Sequence, residues 1–237
     1  MKYELETLPV QDAWASDAPC PLCRLMKAAE DRHVNYYLGN SVMNPETRLQ
    51  VNETGFCPRH FPMLREAGRA HHLGLVAHTH LQSVRGRLDA AIRRLVQGGS
   101  AKDAAAFSAS IRGITEGCLV CRSMERDLER YAYTAVVLHR DDEEFRRHFW
   151  ASRGPCLPHA ADLAEMAAAV LGRSARRRFL TVLGEHVGHI LARLEDDVLH
   201  FTRKFDPQYD DEDWGEARDA HARTVQMLAG RDVRLGD

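Results

Sequence analysis

The placement of the cysteines constrains this chain more than any other feature. All six fall in four short motifs: Cys20-Pro21-Leu22-Cys23, Cys57-Pro58-Arg59-His60, Cys118-Leu119-Val120-Cys121 and Cys156-Leu157-Pro158-His159. Two residues between ligands let one tight turn aim both side chains at a single ion, and two such pairs complete a tetrahedral shell. In order the motifs read C-x2-C, C-x2-H, C-x2-C, C-x2-H, with 33 residues between Cys23 and Cys57 and 34 between Cys121 and Cys156.

That regularity reads as a duplication. Cys20 to Cys118 and Cys23 to Cys121 are 98 apart, while Cys57 to Cys156 and His60 to His159 are 99 apart. Other identities keep the register: Arg24/Arg122, Met26/Met124, Arg32/Arg130, Glu46/Glu144 and Arg48/Arg146, then Gly55/Gly154. Further on, Arg87-Leu88-Asp89 matches Arg193-Leu194-Glu195 at an offset of 106, which sets His80 opposite His186.

Each copy supplies three thiolates and one imidazole, a donor set suited to zinc. The expectation is one site per copy, Cys20, Cys23, Cys57 and His60 in the first and Cys118, Cys121, Cys156 and His159 in the second. Six ordinary buried thiols are the bland alternative, but four ligand pairs with matched spacers and no cysteine to spare favour metal. A thioredoxin-like dithiol belongs in a βαβ unit that is absent here, and iron–sulfur clusters usually take four cysteines. With every position filled by protein, the two ions are structural. Two zinc ions add four positive charges and six thiols lose six protons, which moves the formal charge from −2 to −4. Arg24 and Arg122, each one residue after a C-x2-C pair, and Arg59, inside the first C-x2-H pair, are candidate donors to the thiolates.

Everything around the sites reads as helix, and the expected class is all-α: a duplicated bundle with a pseudo-twofold repeat, each copy clipped by its own Cys3His site. Apolar positions recur at steps of three or four from Met124 to Leu138 and from Met26 to Leu38. Long amphipathic helices are expected from about His72 to Leu95 and Arg177 to Phe201, shorter ones over Phe61–Ala67, Ala160–Leu171 and about Trp214–Leu228. Each ligand pair sits at a helix start, where the dipole and free N–H groups favour thiolates. The Gly98-Gly99-Ser100 joint divides the chain into repeats 1–99 and 100–237, packed as one unit. The acidic run Asp210-Asp211-Glu212-Asp213 reads as a solvated helix entry.

Outside the motifs, His80 and His186 lie on the apolar stripes of the long helices. They read first as hydrogen-bonded core residues; the sharper expectation is that they meet in a ligand pocket, with Glu185, His78 or His189 beside them. His71 and His72 read as exposed. Arg173-Ser174-Ala175-Arg176-Arg177-Arg178, the densest basic cluster, reads as a solvated loop and helix start. No nucleophile, phosphate-loop, dinucleotide or metalloprotease signature is present. The near-balanced charge and the 33- and 34-residue spacers argue against a nucleic-acid partner. No stretch is apolar enough for a membrane span, and the start lacks a signal-peptide core, so a cytoplasmic location is expected.

The doubled C-x2-C … G-x-C-x2-H frame, Leu8-Pro9-Val10-Gln11-Asp12-Ala13, Thr79-His80-Leu81 and Lys204-Phe205-Asp206 … Asp213-Trp214 together resemble an uncharacterised family of bacterial cytoplasmic proteins, classed as a domain of unknown function. The likeness spans nearly the whole chain and implies a single full-length unit. It adds no substrate. The leading expectation is therefore a zinc-stabilised binding or adaptor module for a protein or small-molecule partner. The rival is a redox sensor or enzyme that uses the zinc thiolates or the His80/His186 pocket.

Overall fold

The computed structural model describes residues 6–209 and 211–230; Asp210 of the acidic run lies outside them. Among the described residues there is no strand, and eleven α-helices carry the chain: α1 (Thr7–Ala15), α2 (Pro21–Tyr37), α3 (Pro45–Thr54), α4 (His60–Glu66), α5 (Ala70–Gly98), α6 (Ala101–Thr115), α7 (Leu119–Asp141), α8 (Glu143–Ala151), α9 (Leu157–Val170), α10 (Arg173–Arg203) and α11 (Ala220–Ala229). The all-α expectation holds. The last helix starts later than expected, because Gly215–Asp219 forms a 3-10 turn first.

Local chemistry sets the helix boundaries. Asn44 caps α3 by accepting from the N–H groups of Glu46 (2.8 Å) and Thr47 (3.2 Å), with Pro45 in the first turn. Asp142 caps α8 in the same way through Glu144 and Phe145. Between α5 and α6, Gly99 adopts the left-handed conformation that ends a helix, and Ser100 with Asp103 forms a reciprocal capping box that starts the next.

The chain forms two compact units: Ala29–Arg126, and the described residues through Ala28 together with those from Asp127 onward. The repeats expected at 1–99 and 100–237 do not coincide with these. The Gly99 joint is only a turn inside the first of them, where α5 and α6 pack on each other.

In the 29–126 unit, α5 packs against α3 and α6. Its core holds Leu38, Val42, Val51, Leu64 and Val76, with the rings of Tyr37, Phe56 and Phe61 in edge contact at 5.2 and 5.4 Å. In the other unit, α10 packs against α9 and α11, and α1 against α8. Trp14 of α1 lies 5.5 Å from Phe145 and 5.9 Å from Phe149 of α8, and Phe149 is 5.8 Å from Phe179 of α10. Such aromatic pairs add about 0.5–1.5 kcal/mol each beyond area burial.

Candidate metal centres

In the 29–126 unit the chain leaves α3 through Gly55, runs past Cys57, and enters α4 at His60. Gly55 has φ 71° and ψ −154°, a backbone region only glycine occupies without strain. Its carbonyl accepts from the N–H of Leu119 at 3.1 Å, which pins the start of α7 and its Cys118 and Cys121 against the same turn. The four donors converge. His60 Nδ1 stands 3.2 Å from Cys57 Sγ, 3.2 Å from Cys118 Sγ and 3.4 Å from Cys121 Sγ, and Cys57 and Cys121 are 3.9 Å apart.

The second cluster lies in the other unit. Cys20 precedes α2, Cys23 occupies its first turn, Cys156 caps α9, and His159 follows one turn later. His159 Nδ1 is 3.5 Å from Cys20 Sγ, 3.5 Å from Cys23 Sγ and 3.2 Å from Cys156 Sγ, with Cys23 and Cys156 separated by 3.7 Å. All three cysteines are buried. The N–H of Cys156 donates to Cys20 Sγ at 3.3 Å, a backbone hydrogen bond that suits a thiolate.

These spacings test the fit to a metal. With bonds of about 2.3 Å to sulfur and 2.0 Å to nitrogen, a tetrahedral ion sets its ligand atoms roughly 3.5–3.8 Å apart. The observed 3.2–3.9 Å separations surround that range. A disulfide needs about 2.05 Å between sulfurs, and all six cysteines are free. In each cluster the donor atoms lie within 4.8 Å of one another.

The eight residues are those expected, but their grouping is not. Cys20 and Cys23 join Cys156 and His159, whereas Cys57 and His60 join Cys118 and Cys121. Each centre thus takes its C-x2-C pair from one sequence copy and its C-x2-H pair from the other, so no copy is clipped by a site of its own. The physical reason is that a C-x2-C turn fixes only which two side chains share an aim. Spacers of nearly equal length let either C-x2-C pair reach either C-x2-H pair, and helix packing within each compact unit makes the choice.

The outer contacts also differ from expectation. Arg59 does not face a thiolate; its guanidinium pairs with Glu30, whose carboxylate accepts from His60 Nε2 at 3.0 Å. This relay fixes the His60 tautomer and turns Nδ1 toward the sulfurs. Glu30 is fully buried, and its Oε2 has no hydrogen-bond partner. Sequence reasoning missed it, although a signal existed: a carboxylate between Met26 and Val34 at i, i+4 spacing on the apolar stripe of α2. Arg24 is exposed, and Arg122 holds the Thr54 hydroxyl at 3.3 Å instead of a sulfur.

Electrostatics point to the same use. Burial disfavours a charge on His60, but the Cys118 sulfur and the Glu30 carboxylate outweigh it and push its pKa up to about 9. Burial likewise opposes the Cys118 thiolate, and His60 overcomes it, bringing the thiol down to about 6. His159 is raised to about 10 by Cys156 and Cys23 against the same burial penalty. Hydrogen bonds from Cys156 and Cys20 hold Cys23 far below a normal thiol, and Cys20 is raised in return. Each cluster pairs a thiol that readily ionises, Cys118 or Cys23, with one that resists, Cys121 or Cys20, a resistance a divalent cation removes.

His80 and His186 are both buried, each within its own unit. The His80 ring lies 6.1 Å from Phe61 and against Gly55, where a Cβ would stand 2.6 Å from it. His186 packs 5.1 Å from Trp150 and 6.1 Å from Phe149, against Gly154, where a Cβ would stand 2.7 Å from its Nε2. Both rings therefore fill the notch left by the glycine two residues before a C-x2-H pair, and their contacts are those of core residues. Burial lowers both pKa values. His72 is not simply exposed, since its Nδ1 reaches the Leu38 carbonyl at 2.6 Å.

No helix among the described residues is long and apolar enough to cross a membrane. The model of one family, described as a family of unknown function (DUF6062), matches residues 1–234. No curated protein and no solved structure matches the chain.

Proposed function

The chain belongs to that family of unknown function, and we propose that it carries two structural zinc ions in the clusters above and serves as a metal-stabilised binding module. The observation that carries the reading is the convergence of three sulfurs and one imidazole Nδ1 in each cluster, all within 4.8 Å. Zinc fits this donor set without redox change, and a shell filled by four protein atoms has no place for substrate or a reactive water. The reduced thiols it requires suit a cytoplasmic protein.

Each ion ties together segments that the sequence holds far apart, Cys23 with Cys156 in one cluster and Cys57 with Cys121 in the other. Duplication followed by exchange of the C-x2-C arms accounts for both the repeating motifs and the crossed grouping. Because the ions are closed, binding falls to the protein surface and cavities, and the partner is a protein or a small molecule.

Metal analysis of chain purified without added metal, combined with thiol titration, tests the reading. About two equivalents of zinc and six protected thiols are expected. Fewer than two equivalents with all six thiols freely titratable would overturn it. A visible absorption band would replace zinc with iron.

A further inference from the structure

Away from both clusters, a cavity of about 540 Å³ opens between the end of α7, α8 and the first half of α10. That size is typical of small-molecule sites. Its charged lining is of one sign: Arg140, Arg146 and Arg178, and no carboxylate. Arg140 is matched by Asp141 in a two-pronged pair at 2.7 and 2.6 Å. The other two are free of such partners among the described residues. Arg146 spends Nη1 on the carbonyls of His139 and Arg140, and Arg178 gives one N–H to the Ser174 hydroxyl.

The remaining lining is apolar and aromatic. Phe179, buried in the core, forms part of the wall with Leu171 and Val182, while Trp150 lies 50% exposed beside them. His139 joins them as a neutral ring, because burial and the nearby Arg146 push its pKa down to about 4. Two guanidiniums outside any carboxylate ion pair, lining one cavity with an aromatic wall, suit one kind of guest: a head that accepts bidentate hydrogen bonds and an apolar body that covers the half-exposed Trp150. Arg178 belongs to the basic run at the start of α10, so part of that cluster borders a site instead of merely being solvated.

We propose that this cavity binds a small organic anion, a carboxylate or phosphate joined to an aromatic or branched apolar body. The anionic head sits between Arg146 and Arg178, and the body lies on the Trp150–Phe179–Val182 wall. This is independent of the metal reading, since none of the lining residues is a ligand.

Titration calorimetry on the full, metal-loaded chain tests the proposal with four probes: phenyl phosphate, benzoate, inorganic phosphate and benzyl alcohol. At least one of the two aromatic anions should bind at least tenfold more tightly than inorganic phosphate and than benzyl alcohol. That preference should fall at least tenfold in Arg178→Glu, which alters an exposed side chain, and in Val182→Trp, which fills the cavity; unchanged thermal melting shows that the variants fold. Equal affinity for phenyl phosphate and inorganic phosphate would mean a charged patch only and overturn the proposal. So would equal affinity for benzyl alcohol and the aromatic anions, no measurable binding of either anion, or binding that survives both substitutions.

Discussion

The crossed grouping of the ligands can be read directly from metal stoichiometry in paired Cys→Ser variants. Cys20→Ser with Cys156→Ser removes two donors from one cluster and none from the other, so one equivalent of zinc should remain. Cys20→Ser with Cys57→Ser removes one donor from each cluster and weakens both by about 150-fold at about 3 kcal/mol per ligand, so both ions should be lost to a chelator of intermediate strength. A site confined to each sequence copy demands the reverse. Structural zinc sites of this kind bind with roughly 10–16 kcal/mol at neutral pH, about 3 kcal/mol per ligand if shared equally. Losing two donors of one cluster then costs about 6 kcal/mol, roughly ten-thousand-fold in affinity. Each cluster lies within its own compact unit, so the undamaged one should keep its metal. Dialysis against a chelator of intermediate strength, followed by metal analysis and cobalt(II) thiolate absorption, reads the outcome. Retention of one ion by Cys20→Ser/Cys57→Ser, with loss of both by Cys20→Ser/Cys156→Ser, would refute the grouping.

Three other outcomes follow from named contacts. Replacing Glu30 with Ala strips His60 of its Nε2 acceptor and leaves Arg59 unpaired, so zinc affinity at the Cys57/His60/Cys118/Cys121 centre should drop about 10- to 100-fold; competition with a chromophoric chelator measures it, and the other centre should be unmoved. Gly154→Ala would drive a Cβ into Ile190 and His186 at a backbone with φ 78°, and about 3 kcal/mol of destabilisation is expected in denaturant melts, with near-neutrality as the contrary result. His139 is neutral in the fold, with a pKa near 4 against about 6.5 unfolded, so protons bind preferentially to the unfolded chain below 6.5. Stability should therefore decline as pH falls from about 6.5 to 4, by about 3 kcal/mol from this group. His139→Leu should flatten that part of the profile, and an unchanged slope would argue against the assignment.

The buried histidines show how far sequence pattern reaches. Position on an apolar stripe correctly marked His80 and His186 as buried, yet periodicity gives a face and not a neighbour. Their partners proved to be Gly55 and Gly154, whose positive φ makes a notch that an imidazole fills. Glu30 had the same kind of ambiguity: a carboxylate on an apolar stripe signals an unusual partner without saying which. Arg59 and Arg122, adjacent in sequence to clustered residues, turn toward a carboxylate and a hydroxyl and not toward a sulfur.

The amino-acid sequence by itself determined the helical class, the eight cysteine and histidine residues that cluster and their aim in pairs. All of these are local properties, governed by apolar periodicity, by capping residues such as Ser100 and Asp142, and by the reach of a two-residue turn. Tertiary structure alone decided which pairs converge in one cluster, that the compact units run through the Gly99 joint, and that Arg146 and Arg178 border one cavity. Those outcomes depend on how helices pack across spacers of more than thirty residues, and spacers of nearly equal length leave both pairings open until burial of the helix faces selects one.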